Sequence, residues 1–271
     1  MTTSRGDGGV DREQRVALVS NVTEYGGPGA ANALAEAGYT VVCHDASFAE
    51  RAARDRFADS NVQLRPVAEQ GPRDLVGAAL SLAGRIDVLV NNDFIPGSLF
   101  DPDPDLPGPG TPYMRKQAYE DLNPDEFRQT LELLVLRPFL LSQAALPTMK
   151  ARRSGAIIFI TSAVSYRAGP NYEMYSAGRS AATSLAQGLA IQVAPYNIQV
   201  NPIGPAWFAN PTYYPEKHKE FFMADAEREV PLGRLGRQDE LGALIVFLTS
   251  GQAAPVTGQF IPFTAGTRLR R

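Results

Sequence analysis

Apolar residues in this chain fall into short uninterrupted runs, separated by longer stretches with helical spacing. Val16-Ala17-Leu18-Val19 is the first such run and reads as a strand buried on both faces. Gly26-Gly27-Pro28-Gly29 then turns the chain, Ala30 to Ala37 reads as a helix, and Gly38 stands where a C-terminal cap is expected. Tyr39-Thr40-Val41-Val42-Cys43 is a second strand, Arg73 to Ala83 a helix opened after Pro72, and Ile86-Asp87-Val88-Leu89-Val90 a further strand. Asn123-Pro124-Asp125 starts a long helix reaching about Lys150, since Asn caps and Pro is tolerated in a first turn. Ala156 to Ile160 is the fifth strand, Tyr172 to Ala194 a second long helix and Ile198 to Ile203 the sixth strand. A helix over Gln238 to Ser250 and a seventh strand at Gln259-Phe260-Ile261 follow. Strands and helices alternating at these spacings imply parallel pairing through crossover helices. The expected architecture is a single α/β domain: a Rossmann-like, doubly wound, seven-stranded parallel sheet flanked by helices.

Two stretches break this rhythm. Residues 1–14 are polar and Gly-rich and are expected to form a flexible leader to the Rossmann-like domain over 15–271. From Pro96 to Asp121, Pro102, Pro104, Pro107, Pro109 and Pro112 fall among glycines and aspartates, so the segment is a loop. It either borders a pocket or is a tolerated surface insertion, and the residues do not choose between them.

Composition narrows the partners. The chain has 271 residues and a formal net charge of −3, which supplies no electrostatic attraction toward nucleic acid or an anionic membrane. No run is long and apolar enough to span a bilayer. Cys43 stands alone, so no intrachain disulfide forms, and a reducing cytoplasm is the simpler setting. No metal site is expected.

The turn after the first strand carries chemistry of its own. In dinucleotide-binding turns, glycines let the backbone approach a pyrophosphate at a helix N-terminus. Here Asn21 stands where the first glycine belongs, Glu24 adds an acid, and a bulky Tyr25 precedes Gly26 to Gly29. The ring and the acid oppose a pyrophosphate, although the helix start is still expected to offer unpaired N–H groups. Asp45, at the end of the second strand, has roughly the spacing of an acid that reads a ribose hydroxyl, or it is a helix N-cap.

A second constellation lies downstream. The fifth strand ends in Ile160-Thr161-Ser162, and Tyr175 and Arg179 follow, four residues apart on one helix face. Ser162 can meet them at the carboxyl edge of the sheet, where open α/β folds bind ligands. Taken singly, these are ordinary turn and packing residues.

Through Ser162, Tyr175 and the Gly26–Gly29 turn the chain resembles the short-chain dehydrogenases/reductases. In that superfamily a lysine follows the tyrosine by four; here it is Arg179. Ser, Tyr and Arg, with an aromatic in the first turn, resemble the halohydrin dehalogenases. The resemblance also runs through Asn92-Asp93, Arg137-Pro138-Phe139, Ile203-Gly204-Pro205, Tyr213-Tyr214-Pro215 and Leu232 to Gly236, from about Arg15 to Phe263. It implies a lyase that converts vicinal halohydrins to epoxides and halide without a cofactor. It also implies the reverse ring opening by halide or another small anion such as azide, cyanide or nitrite. Tyr175 would be the general base, favoured as phenolate by Arg179, and Ser162 would hold the substrate oxygen. By the same resemblance Tyr25, Pro205, Ala206, Trp207, Phe208 and Tyr214 form the halide site. Asp93 stands behind them and orients the halide loop. A homotetramer is implied, with the two long helices pairing through Leu131, Leu134, Val135, Leu185 and Leu189, unless these face the sheet. An NAD(P)-dependent oxidoreductase and a non-catalytic binding protein remain the alternatives.

Overall fold

The computed structural model describes residues 14–61, 63–96, 118–168, 172–214 and 219–267. The expected leader and most of the proline-rich loop lie outside the described residues. Only Pro96 and the loop's last residues, which include a short 3-10 turn at Tyr119–Asp121, fall within them.

Seven parallel strands form one sheet. These are β1 (Val16–Val19), β2 (Thr40–Cys43), β3 (Leu64–Pro66), β4 (Val88–Asn91), β5 (Gly155–Ile160), β6 (Ile198–Pro205) and β7 (Ile261–Phe263). Their order is β3-β2-β1-β4-β5-β6-β7, so the winding reverses between β1 and β4, and a crevice opens above their carboxyl ends. The helices are α1 (Gly27–Glu36), α2 (Arg51–Ser60), α3 (Pro72–Ala83), α4 (Pro124–Leu131), α5 (Arg137–Arg152), α6 (Glu173–Val193), α7 (Lys219–Glu229) and α8 (Gln238–Thr249). They cover both faces and give two apolar cores, one under α1 and α8, the other under α3 and α5. Below β4, the Asp87 carboxylate accepts from Val16 N at 2.8 Å and from Arg85 Nη2 at 2.7 Å.

The expected single helix from Asn123 to Lys150 is divided. A π-turn, Glu132–Leu136, separates α4 from α5. Pro138 supplies the reason: it has no N–H and its ring crowds the carbonyl of the preceding turn, and a widened turn relieves both. The seventh strand begins at Ile261 rather than Gln259, and α2, β3 and α7 add to the elements read from the pattern. Of the residues named for helix pairing, Leu134 is buried in the core. Val135, Leu185 and Leu189 line an outer apolar groove of about 900 Å³ with Phe139 and Ile191. Among the described residues no helix is long and apolar enough to cross a membrane.

Candidate active site

The end of β5 and the start of α6 face each other across the crevice. Ser162 continues β5 in extended conformation and caps the next turn, its Oγ accepting from Val164 N at 3.3 Å. Tyr175 and Arg179, one helical turn apart, are both buried. Arg179 Nη1 donates to Ile160 O at 3.0 Å. Its guanidinium lies over two rings, 5.1 Å from the centroid of Tyr175 and 5.3 Å from that of Tyr25. Burial works against this charge, but Tyr175, Tyr25 and Tyr213 around it outweigh burial and hold the guanidinium above its ordinary pKa. A desolvated cation over two aromatic faces gains about 2 kcal/mol or more per ring.

The first turn is stitched into the protein. Asn21 and Tyr25 both have left-handed backbone, with φ of 49° and 45°. That costs a non-glycine residue about 1–2 kcal/mol. Neighbours hold Tyr25 there: its N donates to Thr212 Oγ1 at 2.6 Å and its O accepts from Gln238 Nε2 at 2.7 Å. Its hydroxyl donates to Thr161 O at 3.0 Å. Burial, and then Tyr175, push the Tyr25 phenol well above its usual range, so it stays neutral. Asn92 ties the turn from below, donating to Asn21 O and Glu24 O, each at 2.8 Å.

The N–H groups that open α1 are spent inside the protein, against expectation. Gly26 N donates to Asn92 Oδ1 at 3.0 Å and Gly27 N to Glu24 O at 2.8 Å. Pro28 has none, Gly29 N donates to Gln238 Oε1 at 2.9 Å, and Ala30 N enters the helix ladder through Gly26 O. Beside them stands the half-buried Glu24 carboxylate, raised by burial although the Thr212 hydroxyl donates to it at 2.6 Å. Asp45 is occupied too: Oδ1 accepts from Ser47 N at 3.0 Å as an N-cap, and Oδ2 accepts from Thr23.

Asp93 is buried after β4 with Arg137 Nε 3.8 Å from its carboxylate. Burial pushes it up to about 7, against the pull of Arg137 and Arg179. Arg137 Nη2 also lies 2.9 Å from His44 Nε2, whose ring accepts from Asn21 N through Nδ1 at 3.2 Å. Burial and then Arg137 pull His44 down to about 4, so the ring is neutral; with Nδ1 accepting from Asn21, Nε2 carries the proton and donates to Gln70 Oε1 at 3.2 Å.

The loop after β6 closes the crevice. Ala206 N donates to Phe263 O at 3.0 Å where Pro205 ends the strand. Trp207 is left-handed, with φ of 50°, and its O accepts from Gly236 N at 2.8 Å. Phe208 is buried edge-on to Tyr25, with centroids 6.0 Å apart, and to Phe263 at 5.8 Å. Tyr214 is raised by burial and by Tyr172 and Tyr175 facing it. Tyr25, Tyr175, Arg179, Phe208 and Tyr214 therefore belong to one cluster, and Ser162 directly follows Thr161, whose carbonyl accepts from the Tyr25 hydroxyl. Tyr213, Thr212 and Gln238 were not among the expected site residues. Tyr213 packs on Tyr25 with centroids 5.3 Å apart and accepts from Ile95 N at 3.3 Å. The doubled tyrosine at 213–214 signalled it, whereas nothing local marks Gln238 or Thr212. His44 and Gln70, drawn in through Arg137, were equally unsignalled.

A family model described as Enoyl-(Acyl carrier protein) reductase matches residues 27–268. A trans-4-hydroxycyclohexanecarboxylate dehydrogenase from Sinomonas cyclohexanicum is 31% identical over 95% of this chain and 96% of its own. The chain belongs to the short-chain dehydrogenase/reductase superfamily. Dehydrogenase/reductase SDR family member 4 of Homo sapiens is 27% identical over 72% of the chain, a match spanning 64% of that protein's length. Within the superfamily two solved structures are more similar. A dehalogenation enzyme has 33% identity and a TM-score of 0.84, and a halohydrin dehalogenase bound to ethyl (2S)-oxiran-2-ylacetate has 34% and 0.85. Both matches cover 94% of this chain and 98% of the other. A 3-ketoacyl-(acyl-carrier-protein) reductase from Brucella melitensis complexed with NADH follows at 27% and 0.77, over 95% of this chain and 99% of that one.

Proposed function

We propose that this protein is a cofactor-independent lyase of the halohydrin dehalogenase type, interconverting vicinal halohydrins with epoxides and halide. The observation that carries this reading is the first turn. Its helix-opening N–H groups are spent on Asn92, Glu24 and Gln238, and an aromatic ring stacks on the catalytic-face arginine. Such a turn does not fit a pyrophosphate, which needs those donors and repels the Glu24 carboxylate.

Tyr175, beside the Arg179 charge, takes the proton of the substrate hydroxyl. Ser162 accepts from Val164 N, which leaves its own proton to donate to the substrate oxygen. The alkoxide attacks the neighbouring carbon, a C–O bond forms, and the halide leaves with the electrons of the carbon–halogen bond. The proton passes from Tyr175 to solvent. In reverse, neutral Tyr175 protonates the epoxide oxygen while an anion attacks carbon. The halide rests against the edges of Tyr25, Phe208 and Tyr214 and the backbone from Pro205 to Trp207, a setting suited to a large, weakly hydrated anion. Asp93 braces Arg137 and Arg179 behind this pocket. The apolar groove between α5 and α6 is the face through which copies assemble as a homotetramer, and the lone, buried Cys43 suits the cytoplasm.

An NAD(P)-dependent oxidoreductase is the second reading, favoured by the curated relatives, most of them oxidoreductases. One assay separates the two: acid release from a short bromohydrin in weak buffer without nicotinamide. The lyase releases acid, and Tyr175→Phe and Ser162→Ala each lower the rate by roughly 10²-fold or more. Acid release that needs NAD, or a calorimetric response to NADH with alcohol turnover, would reject the lyase.

A further inference from the structure

The candidate site is assembled from two segments far apart in sequence, the first turn and the loop after β6. Gln238, the first residue of α8, joins them with one side chain. Its Oε1 accepts from Gly29 N at 2.9 Å, and its Nε2 donates to Tyr25 O at 2.7 Å and to Ala209 O at 3.1 Å. Thr212 adds a second tie, its Oγ1 accepting from Tyr25 N and donating to the Glu24 carboxylate, each at 2.6 Å. Both backbone polar groups of Tyr25 are thus held by side chains from outside its own turn. Tyr25 needs this, because its left-handed backbone is not self-supporting. The loop carries the same kind of demand at Trp207, which is anchored on Gly236, two residues before Gln238.

The joint is also tight. A Cβ on Gly29 would lie 2.2 Å from Gln238 O, so α1 and the start of α8 touch backbone to backbone. A carboxylate at 238 would turn an oxygen toward two carbonyls, and an apolar side chain would leave all three backbone groups unmatched. Only an amide offers an acceptor to Gly29 and donors to Tyr25 and Ala209 at once.

We infer that Gln238 is a positioning residue that bolts the Tyr25 turn to the loop after β6, and so sets the Tyr25–Phe208 separation bordering the anion pocket. The anion part rests on the lyase reading; the bolt itself does not. Gln238 acts through Tyr25 and Ala209 and touches no reacting atom.

The test uses the full chain with Gln238→Met, close to glutamine in size, and Thr212→Val, with Thr212→Ser as the hydroxyl-keeping control. Trp207, the only tryptophan, reports on the loop. Bromide titration is followed by its emission, and acrylamide quenching reports its accessibility. Folded Gln238→Met is expected to bind bromide at least tenfold more weakly. The KM for the anion in ring opening should rise more than kcat falls, and quenching should increase. Thr212→Val moves the same way and Thr212→Ser stays near wild type. Unchanged bromide affinity and unchanged quenching in folded Gln238→Met would overturn the inference. If Gln238→Met does not fold, Thr212→Val against Thr212→Ser decides by the same readouts. A wild type that neither responds to bromide nor releases halide without cofactor sinks the lyase reading instead, and the quenching comparison still decides the bolt.

Discussion

Replacing Arg179 by methionine isolates what its charge does. Methionine keeps the aliphatic stem and ends about where the guanidinium begins, so Arg179→Met removes the cation together with the planar group lying over Tyr25 and Tyr175. The guanidinium sits 5.1 Å from the Tyr175 ring centroid. With an effective dielectric constant of about 20, a unit charge about 5 Å from negative charge developing in the transition state attracts it by about 3 kcal/mol. On the lyase reading, at about 1.4 kcal/mol per tenfold, the rate of halide release should fall roughly 200-fold. The variant also orphans Ile160 O, which now accepts from Arg179, at a stability cost of about 1–3 kcal/mol. Rates must therefore be normalised to the folded fraction, read from near-UV circular dichroism and a thermal melt. The double variant with Tyr175→Phe tests the route: if Arg179 acts through the Tyr175 oxyanion, adding Arg179→Met to Tyr175→Phe costs little more. A folded Arg179→Met that keeps over a tenth of the wild-type rate would refute the electrostatic role. So would full additivity in the double variant, which would place the effect of Arg179 somewhere other than Tyr175.

Asp93 predicts a pH signature. Its folded-state value is pushed up to about 7 by burial, against about 4 in an unfolded chain, so the folded protein holds the proton more tightly. This term stabilises at low pH and is lost as pH rises from about 4 to about 7, by on the order of 4 kcal/mol. Asp93→Asn copies the protonated form. Its melting temperature relative to wild type should be several degrees more favourable at pH 8 than at pH 5, and an equal difference at both pH values would exclude the shift. Helix packing supplies a prediction with an internal control. A Cβ at Gly242 would lie 2.4 Å from Gly29 O and 2.6 Å from Ala33 Cβ, where α8 crosses α1, whereas a Cβ at Gly77 in α3 meets nothing within 4 Å. Gly242→Ala should cost about 1–3 kcal/mol, a melting temperature lower by roughly 3–10 °C, while Gly77→Ala should stabilise by about 0.5–1 kcal/mol. Equal melts for the two would show that the α1–α8 contact is not close.

The alternation of apolar runs and helical spacing determined the class of fold, because strand burial and helix amphipathicity are written in near neighbours. It failed where the local signal was thin. β3 has only Leu64 buried in three residues, and the π-turn before Arg137 follows from Pro138, which lies inside the stretch expected as one continuous helix. That Tyr175 and Arg179 share a helix face was legible for the same local reason, since they stand four residues apart on α6; that β5, ending before Ser162, lies against that helix is set by the packing of the layers. The remainder of the site was not legible either. From sequence the start of α1 offers free N–H donors; only the folded protein sends Asn92 and Gln238 to meet them. Tyr25 reaches Arg179 across 154 residues (179 − 25), and Asp93 finds two arginines from separate helices. Such partners are chosen by where distant backbones come to rest. A side chain's reach is a few ångströms, so which groups fall within it is decided only when the layers pack.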